Sequence, residues 1–88
     1  MAAYRLALSN QAERIIHRMA EREPALYQRV ARALDDLERD PFQGKPLKGE
    51  LRGRYSYRVG DYRILYVVHQ HQLLVLIIDV GHRRDVYR

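Results

Sequence analysis

The chain has 88 residues, a net charge of +5, a hydrophobic content of 47% and no cysteine. This length predicts a single domain over residues 1–88, and the composition is that of a globular protein rather than a disordered one. The lack of cysteine excludes a disulfide framework, a thiolate zinc site and a cysteine nucleophile. The sequence has no run of about 18 apolar residues and no signal-peptide pattern, so we expect a soluble, cytoplasmic protein without membrane contacts.

The positive charge lies in the second half of the chain. Residues 1–42 carry seven arginines and seven acidic residues, which cancel, whereas residues 43–88 carry nine lysines or arginines and four acidic residues. A basic half of this kind favours a polyanionic partner, with RNA or DNA as the first choice. A basic surface without a partner is the alternative.

The first half of the chain predicts a strand followed by two helices. Tyr4, Leu6 and Leu8 alternate with Arg5 and Ala7, which indicates a short strand. Ser9 and the residue after it can cap a helix over residues 10–21, and a second helix is expected to begin near Pro24 and to end before Pro41. The apolar positions on one face of each helix are Ala12, Ile15, Ile16 and Met19 in the first, and Leu26, Val30, Leu34 and Leu37 in the second.

The second half predicts a loop and a three-stranded antiparallel meander. Prolines and glycines interrupt residues 41–53, so we expect a basic loop there. The following pattern predicts strands over residues 54–59, 62–69 and 73–80, and the last is apolar enough to be a central strand. This order predicts an α+β fold of two layers, in which an N-terminal strand and a helical hairpin pack on a small antiparallel sheet.

Strand alternation brings positive charge to the open face of this sheet. If Ile64 faces the helices, Arg63 faces outward, and Arg54, Ser56 and Arg58 of the preceding strand share that outward face. We therefore expect an arginine-lined surface beside the basic loop, although the loop lysines are also compatible with ordinary solvated charges. The candidate RNA-binding residues are Lys45, Lys48, Arg52, Arg54, Arg58 and Arg84.

The residue types favour cleavage of RNA without a metal or a cofactor. His69 and His71 sit at a predicted turn and are more typical of a solvated turn than of a metal site. RNA can be cleaved by its own 2′-hydroxyl, so a protein needs only to transfer protons, hold the phosphate in line and stabilise the added negative charge. Arginine binds two phosphate oxygens at once, and a tyrosine among arginines can act as a base because cations favour the phenolate. The candidate catalytic residues are Arg63, Arg83 and Tyr87.

His82 is a further candidate proton donor, because histidine titrates near neutral pH. It adjoins Arg83, however, and neighbouring residues of an extended strand point to opposite faces. We therefore expect His82 to lie on the opposite face of the sheet from the predicted site.

Three motifs, in this order, resemble the RelE/ParE superfamily of bacterial and archaeal toxins over nearly the whole chain. They are KPLKGELRG at residues 45–53, RVGDYRILY at residues 58–66 and GHRRDVY at residues 81–87. The second and third are most similar to the RelE branch, whose members cleave mRNA in the ribosomal A site and are neutralised by an antitoxin that wraps the toxin. The resemblance implies a RelE-like fold of order β-α-α-β-β-β.

The resemblance also implies roles for individual residues. Arg63 resembles the strand arginine that holds the scissile phosphate, Arg83 the second active-site arginine and Tyr87 the terminal catalytic tyrosine. The family pattern has two lysines on the strand that precedes Arg63, and this chain has Arg54 and Ser56 there. Arg54 keeps the positive charge, whereas Ser56 does not.

The leading hypothesis is therefore the toxin of a type II toxin–antitoxin system, a metal-free endoribonuclease that leaves a 2′,3′-cyclic phosphate on mRNA. The implied partners are a RelB-like antitoxin, mRNA and the ribosome, with the toxin stored in a hetero-oligomer with its antitoxin. One alternative is a ParE-like inhibitor of DNA gyrase without nuclease activity, since one fold can serve several functions. The other is a degenerate toxin that only binds RNA or its antitoxin. The serine at position 56, where the family has a lysine, is compatible with this alternative.

Overall fold

The computed structural model describes residues 3–82. Within this part of the chain, two α-helices pack on one face of a five-stranded sheet, which confirms the predicted two-layer α+β fold. Neither of these helices is long and apolar enough to cross a membrane. The helices are α1 (Asn10–Arg22) and α2 (Pro24–Arg39), and the strands are β1 (Arg5–Leu8), β2 (Lys45–Pro46), β3 (Tyr55–Val59), β4 (Tyr62–His69) and β5 (Leu74–His82).

Ser9 joins the start of α1 to the sheet. Its hydroxyl accepts a hydrogen bond of 3.0 Å from the backbone N–H of Ala12, as an N-cap does, and donates one of 2.6 Å to the carbonyl of Ile78 in β5. The second helix ends at Arg39, as the position of Pro41 predicts. Both predicted helices are therefore confirmed, with bounds that differ by a residue or less.

The strands lie in the order β1-β5-β4-β3-β2. Strands β3, β4 and β5 form the predicted antiparallel meander, and β5 is an interior strand, as its apolar sequence predicts. Two pairings are additional. Strand β1 runs parallel to β5, and two residues of the stretch predicted as a loop form β2, which pairs antiparallel with β3. The sheet is therefore mixed and larger than the sequence pattern indicates.

The hydrophobic core fills the space between the helices and the sheet. Ile64 and Tyr66 of β4 and Val75 and Ile77 of β5 are fully buried there. Because strand residues alternate between faces, Arg63 lies on the face away from the helices, as predicted. The buried helical residues that complete the core are Ala12, Ile16 and Met19 of α1 and Val30, Ala33, Leu34 and Leu37 of α2.

Candidate functional site

A small hollow on the outer side of the sheet is lined by several positively charged residues. Its volume is about 290 Å³, and we call it the basic recess. Three of its side chains are cationic and none is acidic, so its electrostatic potential favours an anion. The residues that line the basic recess are Lys45, Leu47, Lys48, Leu51, Ser56 and Arg63.

Strand pairing and one tight turn assemble the basic recess. Lys45 of β2 lies directly opposite Ser56 of β3, so both side chains are on the same face. The chain then continues alongside β3, where the backbone N–H of Leu47 donates a hydrogen bond of 2.9 Å to the carbonyl of Arg54. It turns back at Gly49, whose φ of +68° falls in the left-handed region that favours glycine. The stretch predicted as an irregular loop is therefore an ordered wall of the recess.

Tyr66 fixes the segment that leads into this wall. Its hydroxyl donates a hydrogen bond of 2.7 Å to the carbonyl of Pro41 and accepts one of 3.0 Å from the backbone N–H of Gly44. Burial raises the pKa of Tyr66 to about 12, with the neighbouring phenols of Tyr55 and Tyr57 adding to the rise. The phenol is therefore neutral and able to donate at physiological pH.

Gly44 allows this close approach. A side-chain Cβ at this position would collide with the hydroxyl of Tyr66 and would lie 2.9 Å from the backbone carbonyl oxygen of Ser56. The backbone of residue 44 therefore packs directly against β3 and β4, one residue before Lys45. This contact sets where the lysine enters the basic recess.

Ser56 is buried, with 4% of its surface exposed, although its strand position lies on the outer face. Its hydroxyl has no hydrogen-bond partner within residues 3–82. A buried polar group without a partner costs free energy, so such groups are uncommon and call for an explanation. The sequence predicted that Ser56 faces outward at the position of a family lysine, but not that it is buried, because nothing in the strand alternation indicates that the chain folds over it.

The predicted arginines do not all reach the basic recess. Arg58 lies opposite Arg63 in the β3–β4 register, but its Nε donates a hydrogen bond of 3.2 Å to the carbonyl of Gly60. The residue also lines a separate hollow, together with Arg29 and Arg32 of α2. Two further predicted RNA-binding residues, Arg52 and Arg54, are exposed and do not line the recess.

The predicted residues Arg83, Arg84 and Tyr87 lie outside the described part of the chain. Strand β5 runs as far as His82, and Gly81 lies directly opposite Arg63. The described chain thus ends beside Arg63.

His82 lies on the helix side of the sheet, as strand alternation predicts. Its ring packs edge-to-face on Tyr62, with ring centroids 5.8 Å apart. It lines a hollow of about 530 Å³ that includes Arg18 and Arg22 of α1. His82 is therefore not part of the basic recess.

The described residues contain no group of three or more His, Asp or Glu side chains placed to hold a metal ion. His69 and His71 are both exposed, and they lie at the turn between β4 and β5. Within residues 3–82, the basic recess best fits a phosphate ligand because three cations and no acidic residue line it.

Comparison with known proteins gives four consistent similarities. A family described as "ParE toxin of type II toxin-antitoxin system, parDE" matches residues 6–87. Toxin RelG of Mycobacterium tuberculosis is 40% identical over 86 residues, which are 97% of each chain. Toxin RelE of the same organism is 34% identical over 86 residues, covering 97% of this chain and 87% of that toxin. The crystal structure of the toxin–antitoxin complex RelBE2 from M. tuberculosis contains a chain with a TM-score of 0.80 and 36% identity, covering 93% of this chain and 100% of that one.

Proposed function

This chain belongs to the RelE/YoeB/ParE family of toxins of type II toxin–antitoxin systems, and on that basis we propose that it is an endoribonuclease that cleaves mRNA in the ribosomal A site. The basic recess is the observation that carries the proposal. It combines the strand arginine Arg63 with Lys45 and Lys48, on the sheet face that the helices leave uncovered. Such a cluster suits the phosphate of an RNA backbone.

RNA cleavage of this kind requires the protein mainly to position the RNA and to supply positive charge. The 2′-hydroxyl of the RNA attacks the adjacent phosphorus, the 5′-oxygen of the next nucleotide leaves, and the product is a 2′,3′-cyclic phosphate. Negative charge builds up on the phosphate oxygens in the transition state, where donors that are already in place stabilise it. The planar guanidinium of Arg63 can contact two of these oxygens, and Lys45 and Lys48 add charge beside it.

The remaining roles follow from the family resemblance. Arg83 is proposed as the second arginine at the scissile phosphate, and Tyr87 as the residue that moves the proton. The described chain ends beside Arg63, which is compatible with residues 83–87 acting at the same phosphate. The exposed residues Arg52, Arg54 and Arg58 are proposed to contact the neighbouring RNA backbone, and so is Arg84.

The proposed protein partner is a RelB-like antitoxin. The M. tuberculosis relative of known structure was solved as a toxin–antitoxin complex. The excess positive charge of this chain favours an antitoxin segment with acidic residues, and the resulting hetero-oligomer is proposed to hold the toxin inactive in the cytoplasm.

Primer extension on mRNA from cells that express the toxin tests the activity. We expect cuts in register with the codons of translated messages, and no cuts in the same RNA when it carries no ribosomes. A soluble toxin without antitoxin that produces no codon-registered cut contradicts the proposal.

Inhibition of DNA gyrase is the second candidate, because the matching family is named after ParE. The 40% and 34% identical relatives are named RelG and RelE, and this favours the nuclease. A gyrase supercoiling assay separates the two functions, since only a ParE-like toxin blocks supercoiling at stoichiometric concentrations. A degenerate, non-catalytic toxin is recognised by a third result, in which Arg83→Ala and Tyr87→Phe leave toxicity unchanged.

A further inference from the structure

Ser56 has the properties of a ligand-binding residue rather than of a packing residue. It is 4% exposed, and its hydroxyl has no hydrogen-bond partner within the described chain. Alanine would fill the same strand position without placing an unpaired hydroxyl in the protein interior. Packing therefore gives no reason for a serine here, and departures from good packing of this kind are expected at functional sites.

The surroundings of Ser56 identify the chemistry of the missing partner. Its side chain lines the basic recess with Lys45, Lys48 and Arg63, and the remaining lining residues are Leu47 and Leu51. No acidic side chain lines the recess, so an anion entering it would meet only cations, apolar groups and this hydroxyl. A serine hydroxyl can donate one hydrogen bond, and a phosphate oxygen accepts it readily.

The position of the hydroxyl also distinguishes it from the three cations. Ser56 lies in the middle of β3, and its backbone is paired on one side with β2 and on the other with β4. Lysine and arginine side chains are long and keep rotational freedom, whereas this short side chain on a doubly paired strand is held in place. Its hydroxyl is therefore a donor held in place on a residue that lines the basic recess beside three cations.

We propose that the hydroxyl of Ser56 donates a hydrogen bond to a non-bridging oxygen of an RNA phosphate held in the basic recess by Lys45, Lys48 and Arg63. The inference rests on the proposed function, since it takes RNA as the ligand. In this arrangement, the serine at the position of a family lysine replaces a mobile charge with a fixed neutral donor. The residue is thus a phosphate ligand, and the three cations supply the charge.

Binding of a non-cleavable RNA tests the contact without depending on catalysis. The probe is a fluorescein-labelled 2′-O-methyl oligoribonucleotide, and its anisotropy is followed as the full-length toxin is added at low salt. We expect Ser56→Ala to weaken binding on the order of tenfold, the value of one hydrogen bond to a charged group. Ser56→Thr keeps the hydroxyl on a residue type that favours strands, so we expect binding close to that of the original protein.

Urea unfolding separates this role from a structural one. Because the hydroxyl has no partner within residues 3–82, Ser56→Ala is expected to leave the urea midpoint unchanged or to raise it. The matched control is Ser9→Ala, which removes a helix cap and is expected to lower the urea midpoint without weakening RNA binding.

Several results would overturn the inference. They are equal RNA binding by the original protein and Ser56→Ala, no RNA binding by the original protein, and a loss of stability in Ser56→Ala like that in Ser9→Ala. Dependence on Ser56 for an acidic peptide but not for RNA would also overturn it, and would assign the recess to a protein carboxylate. Failure of the proposed function looks different, because primer extension then shows no cuts while RNA binding still depends on Ser56.

Discussion

The backbone N–H of Gly44 donates a hydrogen bond of 3.0 Å to the phenol oxygen of Tyr66, a residue 22 positions further along the chain. The same phenol donates to the carbonyl of Pro41, so one buried side chain satisfies two backbone groups of the segment before Lys45. The geometry of the basic recess therefore depends on a residue that does not line it.

Tyr66→Phe removes both hydrogen bonds and leaves two backbone groups without partners. We expect the free energy of unfolding to fall by about 1–3 kcal/mol and RNA binding to weaken, because Lys45 loses its fixed approach to the recess. Urea unfolding and anisotropy measure the two effects. The matched control is Tyr57→Phe, at a half-buried phenol that makes no hydrogen bond within residues 3–82. An equal loss of stability in both variants would argue against the anchoring role.

Alkaline pH is expected to destabilise the fold through Tyr66. Its pKa in the folded protein is about 12, above the ordinary value of 10.0, so folding favours the neutral phenol. The stabilisation is complete below about pH 10 and is lost as the pH rises toward 12, a change of roughly 2–3 kcal/mol. Urea midpoints between pH 9 and 12 should fall more steeply for the original protein than for Tyr66→Phe. Parallel curves for the two proteins would contradict this assignment.

Arg63 and Arg58 form a matched pair, because they lie opposite each other in β4 and β3 but line different hollows. We expect Arg63→Ala to reduce mRNA cleavage by about 10²–10³-fold, the usual loss when one transition-state donor is removed. Arg58→Ala is expected to change cleavage by less than about tenfold, since it loses at most one exposed phosphate contact. Quantitative primer extension measures both effects. Equal losses of cleavage in the two variants would contradict this prediction. They would mean that a position in the β3–β4 register, and not a place in the basic recess, determines which arginines act in cleavage.

The salt dependence of RNA binding reports the number of phosphate contacts. If about five phosphates are bound, the log–log slope of affinity against salt should be near −3.5, or roughly −0.7 for each phosphate. Arg63→Ala is expected to flatten the slope by about 0.7. Anisotropy titrations between low and moderate salt give the slope directly. A flat response in the original protein would assign the basic half of the chain to another partner.

Local patterns in the sequence were sufficient to predict the helices, the meander and the outward direction of Arg63. These features depend on periodicity and on the residues next to Pro41, which act over a few positions. The same alternation correctly predicts that His82 faces away from Arg63. Arg83, Arg84 and Tyr87 remain predictions, because they lie outside the described residues.

Features that depend on distant parts of the chain were not predictable. A strand of two residues such as β2 has no period, and the parallel pairing of β1 with β5 joins segments about 70 residues apart. The burial of Ser56 has the same origin, because the segment that pairs with β3 at Lys45 and continues beside it at Leu47 comes from another part of the chain. Arg58 reaches Gly60 instead of the recess, and this depends on side-chain geometry that alternation does not determine.

The parallel pairing of β1 with β5 also affects when the sheet can form while the chain is being synthesised. Strand β1 has no other partner in the described sheet, and β5 supplies fully buried core residues between β1 and β4. Among the described strands, β1 is synthesised first and β5 last. Strand β1 therefore cannot pair in the sheet until β5 has been synthesised. Contacts at such a long sequence separation slow folding, so we expect the sheet to assemble only after β5 has been synthesised. A nascent chain that does not yet contain β5 would then lack the assembled sheet.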